Sequence, residues 1–297
     1  MKKIIRILII HSARDLLRYK SFSLLVFVLI IADRLIKQYV KPHHAWMGSP
    51  DFTEIGYGLA RFVFEEMPQL LMNALTDYRT FLVVGGLFLF KQIISIWPSS
   101  DMRRMHRKER GTFGIFGSLL IIRWQQVLWD AIAVGTICGI TGLWCMLSYG
   151  LSRLLWDTHQ SPVWLLLFLA LIFPSLPLVM AGLSFSSKLA VISRGTFMEK
   201  LGLFYKLFLD WTIFWQSWIF FLARIVIEAL FVVAIPFLII WFMDVAWLRI
   251  LLAGMLATPV YSYLKMVTFK FFLEVYKDYD LVREEYAVYY NSDRRRH

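Results

Sequence analysis

The stretch Thr212–Met243 reads TIFWQSWIFFLARIVIEALFVVAIPFLIIWFM, and its reading decides the fold class. As a helix it would rise roughly 45–50 Å at ~1.5 Å per residue, more than the ~30 Å hydrocarbon core of a bilayer. A segment this apolar is a membrane span. Arg224 and Glu228 interrupt it, four residues apart and so on one helix face. A charge at membrane depth is costly and turns toward protein or water, which makes the pair the first candidate for an intramembrane polar site. The plainer reading is an ion pair that fixes the rotation of the helix against its neighbours. Arginine before glutamate is the less favourable order within one helix, so partners on other helices are expected as well.

Working outward, five further apolar runs have spanning length: about 21–40, 80–97, 127–151, 162–185 and 245–271. The connections between them alternate in charge. Lys2, Lys3, Arg6, Arg14, Arg18 and Lys20 precede the first run. Arg103, Arg104, Arg107, Lys108 and Arg110 follow the second, and Lys188, Arg194, Lys200 and Lys206 follow the fourth. The other loops are poor in lysine and arginine. Positive charge marks the cytoplasmic side, so six spans with both termini cytoplasmic are expected, in a bacterial inner membrane. The fold class is all-α: a polytopic membrane bundle of about six transmembrane helices with interfacial amphipathic helices. The expected division is a cytoplasmic amphipathic helix at 1–20, a bundle at 21–275 and a polar cytoplasmic tail at 276–297, all in one integral membrane domain. A further helix is expected on the outer face within 41–77, where acidic and apolar residues alternate.

Composition agrees. Apolar residues make up 59% of the 297 and charged residues 18%, against roughly 45–50% and 25% in soluble domains. Phe (25), Tyr (13) and Trp (12) are abundant, as interfacial belts require. The formal charge of +11 sits at helix ends, where it attracts anionic lipid headgroups, and no free basic domain exists to bind nucleic acid. All six histidines fall outside the expected spans, so no haem-type cofactor is expected. No metal-ligand spacing is present. Cys138 and Cys145 share one helix and cannot bridge each other; both are expected in the core.

The segments Gly111-Thr112-Phe113-Gly114-Ile115-Phe116, Ser184 to Lys206 and Tyr276-Lys277-Asp278-Tyr279-Asp280-Leu281-Val282-Arg283 read as an elbow before a span, a proline-kinked span entering a polar elbow, and a helix exit with a tyrosine-aspartate-arginine pattern. In these features the region 112–290 resembles the membrane-domain family associated with glycerophosphodiester phosphodiesterases and its stand-alone bacterial relatives. The resemblance implies a membrane fold and no reaction, because the chain has no room for the soluble phosphodiesterase barrel.

Asp130, one turn inside the third run, is expected near Arg123 or Lys206 at the inner interface, and Lys91 and Lys265 are expected to snorkel. Pro174, Pro177, Pro236 and Pro259 fall inside spans, where a proline frees a carbonyl and kinks the helix. Gly135 and Gly139 have the spacing that lets two helix backbones approach. With no catalytic constellation, the favoured expectation is a non-catalytic membrane protein acting through lipids and other membrane proteins or self-association. The alternative is a small transporter or lipid-handling protein with its polar site at Arg224 and Glu228.

Overall fold

The computed structural model describes residues 12–18, 22–31, 61–66, 69, 78–107, 119, 122–159, 161, 163–192, 195–234 and 246–294. These residues are helical almost throughout, with no strand among them. The helices are α1 (Ser12–Arg18), α2 (Phe22–Ile31), α3 (Tyr78–Arg107), α4 (Trp124–His159), α5 (Val163–Ile172), α6 (Leu176–Val191), α7 (Phe197–Leu209), α8 (Trp211–Glu228), α9 (Ala246–Val275) and α10 (Asp280–Arg294). Short π-helical turns occupy Phe62–Glu66 and Ala229–Ala234, and a 3-10 turn at Phe173–Ser175 joins α5 to α6.

Three helical stretches are long and apolar enough to cross a membrane: Trp124–Thr158, Val163–Val191 and Trp211–Phe231. Their outward faces are apolar. On α4, Leu143, Met146, Leu147 and Leu154 are 66–71% exposed, and Leu166 and Ile219 continue the pattern on α5 and α8. Contiguous apolar area on this scale, left in water, would oppose folding at ~25 cal/mol per Å². In lipid it costs nothing, and such patches mark membrane or partner contact. Among the described residues the count of spanning helices is therefore three, against the expected six. The expected fifth span is helical only to Ala234 among these residues, and Pro236 lies outside them.

Local chemistry sets the helix boundaries. Thr196 and Glu199 form a reciprocal cap at the start of α7, with Glu199 Oε2 accepting from Thr196 N at 2.7 Å. Asp210 caps α8 by accepting from Thr212 N at 2.9 Å and Ile213 N at 3.3 Å. Gly195, with φ +87°, makes the turn between α6 and α7, a conformation that favours glycine.

Packing joins the helices into one core. α4 and α6 run antiparallel, since Ile137 meets Gly182 and Asp130 lies beside Ser186. α3 and α6 run parallel, as the pairs Ser99–Ser187 and Arg103–Val191 require. α8 and α9 run antiparallel, with Phe220 stacked on Phe271 at 3.9 Å and Arg224 bonded to Thr268. Phe185 lies where these layers cross, ringed by Phe221, Phe271, Phe272 and Tyr276. A smaller cluster at the other end packs Phe64 against Trp156, Leu165 and Phe168, which puts part of the acidic segment against α4 and α5.

Several expectations are corrected by this packing. Residues 280–294 are not a free polar tail. They form α10, docked on α3 through Glu285, which accepts from Arg103 at 2.8 Å and from Arg107 at 2.7 Å. The basic residues Arg103, Arg104 and Arg107 continue α3 instead of forming a loop. Pro174 breaks the span between α5 and α6, but Pro177 stands in the first turn of α6, where no amide hydrogen bond is lost. α9 passes Pro259 without interruption. Gly135 and Gly139 face open space among the described residues: a β-carbon added at either would meet nothing within 4 Å, so they bring none of the described helices together. Gly182 and Gly254 do so instead, since a β-carbon there would meet Ile137 or Ile31 at 2.5 Å. Cys138 is exposed. Residues 1–11, the elbow at 111–116 and residues 295–297 lie outside the described residues.

Candidate functional site: a cationic cavity between the helices

Arg224 sits about 20 Å along α8 from Trp211, counting ~1.5 Å per residue, and is 8% exposed. Its Nε donates to Glu228 Oε1 at 2.7 Å, and its Nη1 donates across to Thr268 Oγ1 of α9 at 3.0 Å. Thr268 can accept because its own hydroxyl proton goes to the Leu264 carbonyl at 2.6 Å. The guanidinium also lies 5.6 Å from the Phe221 ring centre. Both expected elements are therefore present: the intrahelical pair and a partner on a neighbouring helix.

Arg224 is one wall of a cavity of about 160 Å³ between α3, α6, α8 and α9. Lys188 of α6 and Lys265 of α9 line it too, together with Ser95, Ser99, Ser184, Ser187, Tyr261 and Thr268. Three cations and a wall of hydroxyls meet there, and among the described residues no carboxylate belongs to the lining. Lys188 is buried, its ammonium donating to the Ser184 carbonyl at 2.7 Å and to Ser184 Oγ at 2.8 Å. The Lys265 ammonium lies 5.4 Å from the Tyr261 ring centre. Neither lysine forms an ion pair among the described residues. The cavity wall thus carries three basic side chains, with Glu228 paired to Arg224 and Asp130 near Lys188 just behind the lining, and basic groups in a low-dielectric site are stabilised by an anion.

Asp130 adjoins this group from α4. It is fully buried, accepts from Ser95 Oγ at 3.0 Å, and is within electrostatic reach of Lys188. The expectation of a solvated Asp130 paired with Arg123 or Lys206 is corrected: α3 and α6 cover it. Lys265 does not snorkel to a helix end; it turns into the cavity. Lys188 belongs to the helix α6 and not to the loop after it.

Sequence reasoning singled out Arg224, Glu228 and Asp130, of which Arg224 alone lines the cavity, and did not single out Lys188, Lys265 and the serines as neighbours of Arg224. The available signal was Ser184-Phe185-Ser186-Ser187-Lys188, a polar run inside an otherwise apolar helix. Among the described residues no cluster of three or more His, Cys, Asp or Glu could hold a metal ion.

No family model matches this chain, and neither the curated proteins nor the solved structures provide a match. Of the segments that carry the family resemblance, Ser184–Val191 closes α6 and lines the cavity, while Tyr276–Tyr279 forms the turn between α9 and α10. In that turn Tyr276 is fully buried against Phe185 and Phe272, and Tyr279 donates to Asp210 at 3.4 Å. Burial first, and then the neighbouring Tyr279 and Asp210, push the Tyr276 phenol well above the usual tyrosine range, so it stays protonated.

Proposed function

We propose that this chain is a multi-pass membrane protein that binds the anionic headgroup of a membrane amphiphile in the cavity of Lys188, Arg224 and Lys265. One observation carries the reading: three basic side chains line a single cavity with no carboxylate among the described residues of its wall. A lipid is favoured over a soluble anion because the helices that build the cavity carry apolar outer faces along which an acyl chain can lie. The hydroxyl groups supply directional donors to headgroup oxygens, and the lysines supply charge. Arg224 is held by Glu228 and Thr268 and so acts as a fixed wall, while the lysines can turn to meet the ligand. Ser184 Oγ is held 2.8 Å from the Lys188 ammonium in the cavity wall, and the proposed role is binding or handling of the lipid. The proposal includes six crossings, both termini on the cytoplasmic side of a bacterial inner membrane, and membership of the phosphodiesterase-associated membrane family on the resemblance described.

The test is native mass spectrometry of the full chain carrying phosphatidic acid from neutral detergent. Lys265→Met removes a cation without touching the Arg224–Glu228 pair. It is expected to weaken retention of the cavity-bound lipid at least ~10-fold, the effect of one charge-assisted contact of ~1.4 kcal/mol or more. Retention equal to wild type would refute the assignment.

A second reading, self-association or association with another membrane protein, is favoured by one feature. Gly135 and Gly139 lie on an outward strip of α4 with open space before them, the surface that close helix packing uses. Cys138 is exposed on the same helix. Oxidative cross-linking in membranes should give a Cys138-dependent dimer if copies meet there; monomer alone would set self-association through this face aside.

A further inference from the structure

A second cavity lies apart from the first, at the junction of α3, α4, α6 and α7. It has a volume of about 510 Å³ and is lined on its polar side by Arg103, Arg123, Gln125, Gln126, Trp129 and Lys200. Three of these are cations, and again no carboxylate lines the wall among the described residues. Two of the cations have no acid to satisfy them there. The Lys200 ammonium donates to the Ile192 carbonyl, and neither Lys200 nor Arg123 forms an ion pair among the described residues. The adjacent Glu199 is committed to the cap of α7 through Thr196.

The second, independent observation is Trp129. It is 4% exposed and lines the cavity, yet its Nε1–H has no hydrogen-bond acceptor among the described residues. An indole N–H only donates, so what it lacks is an acceptor. A buried donor left without a partner carries its full desolvation penalty, and an oxygen-rich anion in the cavity would remove it. Gln126 adds to the donor set: its Oε1 already accepts from Arg123 N at 2.9 Å, which leaves its amide N–H groups for a ligand. The first turn of α4 lies at the same place, so the helix dipole acts in the same sense.

The surroundings indicate the depth. Trp124 and Met198 are 70% and 72% exposed beside the cavity, and Phe197 lines it. Exposed aromatic and thioether side chains at the start of a spanning helix belong to the membrane interface.

We propose that this cavity is a phosphate site at the membrane surface, in which Arg123, Lys200, the Gln126 amide and Trp129 Nε1–H hold the oxygens of a phosphate monoester. The phosphate can come from a lipid headgroup or from a soluble phosphate ester, and both offer the same chemistry to these donors. Arg103, paired to Glu285 of α10, forms the far wall and ties the site to the C-terminal helix.

The test uses the full chain in uncharged maltoside micelles, titrated with short-chain phosphatidic acid, with the matching phosphate-free diacylglycerol, and with glycerol 3-phosphate. Phosphatidic acid binding without glycerol 3-phosphate binding identifies a lipid source, and the reverse identifies a soluble one. In either case the variant carrying Arg123→Gln and Lys200→Gln is expected to bind at least ~10-fold more weakly, and Trp129→Phe several-fold more weakly. Arg123→Lys keeps the charge and should stay within about threefold of wild type, which separates loss of the site from loss of the fold. Lys265→Met, in the other cavity, should leave this site's binding intact, so failure of one site is distinguishable from failure of the other. The proposal is overturned if wild type binds neither phosphate, if diacylglycerol binds as well as phosphatidic acid, or if the double variant binds as wild type does.

Discussion

At the scale of single residues, the contrast between glycines is instructive. Gly135 and Gly139 carry the spacing associated with close helix packing, yet Gly182 makes the contact. Spacing along one helix says which residues share a face and nothing about which face a neighbour covers. Gly182→Val would drive its branched side chain into Ile137, 2.5 Å from the first added carbon. A loss of about 1–3 kcal/mol is expected from such overpacking, read as a lower unfolding midpoint in detergent, whereas Gly139→Ala should leave that midpoint unchanged. Tyr276 offers the opposite case. Its hydroxyl is buried with no hydrogen-bond partner among the described residues, so Tyr276→Phe is expected to be neutral or slightly stabilising, while Tyr276→Ala should cost about 3–5 kcal/mol by emptying the ring's place beside Phe185. A measured loss of more than about 1 kcal/mol for the phenylalanine variant would mean that the hydroxyl makes a bond of value. Arg224 and Glu228 were legible in the sequence because a charge within an apolar run needs no knowledge of neighbours. Lys188 and Lys265 were not legible in this way. Lys265 reads as snorkelling from a helix end and Lys188 as part of the basic loop after the fourth run, and only the crossing of α6 with α9 turns them to one cavity.

At the scale of the element, α10 shows how a polar segment becomes structure. Its sequence is charged, and taken alone it reads as solvated tail. Glu285 changes that by meeting Arg103 and Arg107 in a half-buried cluster on α3. Removing one partner of such a cluster strands the others, a cost that outweighs what the pairs contribute at an exposed surface. Glu285→Gln is expected to release α10 from the bundle, seen as faster hydrogen exchange across Asp280–Arg294 with little change in α4. Protection equal to wild type would show that the apolar contacts of Val282 and Tyr289 suffice. The amphipathic helix α7 has a pH dependence of its own. Burial, and then the charge of Arg103, hold the Lys200 ammonium below the usual lysine range. A lysine with a lowered folded value binds its proton less readily folded than unfolded, so the charged form opposes folding below that value and the penalty disappears as pH rises through it. In the alkaline window just below the ordinary lysine range, thermal stability should therefore rise slightly while phosphate binding at the α7 cavity declines. Lys200→Gln should flatten both trends.

At the scale of the whole molecule, the two ends of the chain meet. Asp15 of α1 pairs with the buried Lys270 at 2.7 Å and lies 3.4 Å from the hydroxyl of Tyr289 of α10, so the segment before the first apolar helix touches the segment after the last. The proposed six crossings require both segments on one side of the membrane, and this contact supports that reading. The alternation of basic and poorly charged loops points the same way, because lysine and arginine resist translocation. These two lines of support are independent, one resting on loop composition and the other on a contact between residues 274 positions apart. Charge and hydropathy made the helical class and the apolar belt legible from sequence. The count of crossings was less so, since it depends on how α2, α3 and α9 tilt against their neighbours. The expected outcome is that reporters fused before Met1 and after His297 give the same sidedness, that of the basic loops. Asp15→Asn should preserve that sidedness, set by charge during insertion, yet loosen α1 by removing its ion pair with the buried Lys270. Opposite sidedness for the two reporters would require an odd number of crossings and would be incompatible with the contacts of Asp15 with Lys270 and Tyr289.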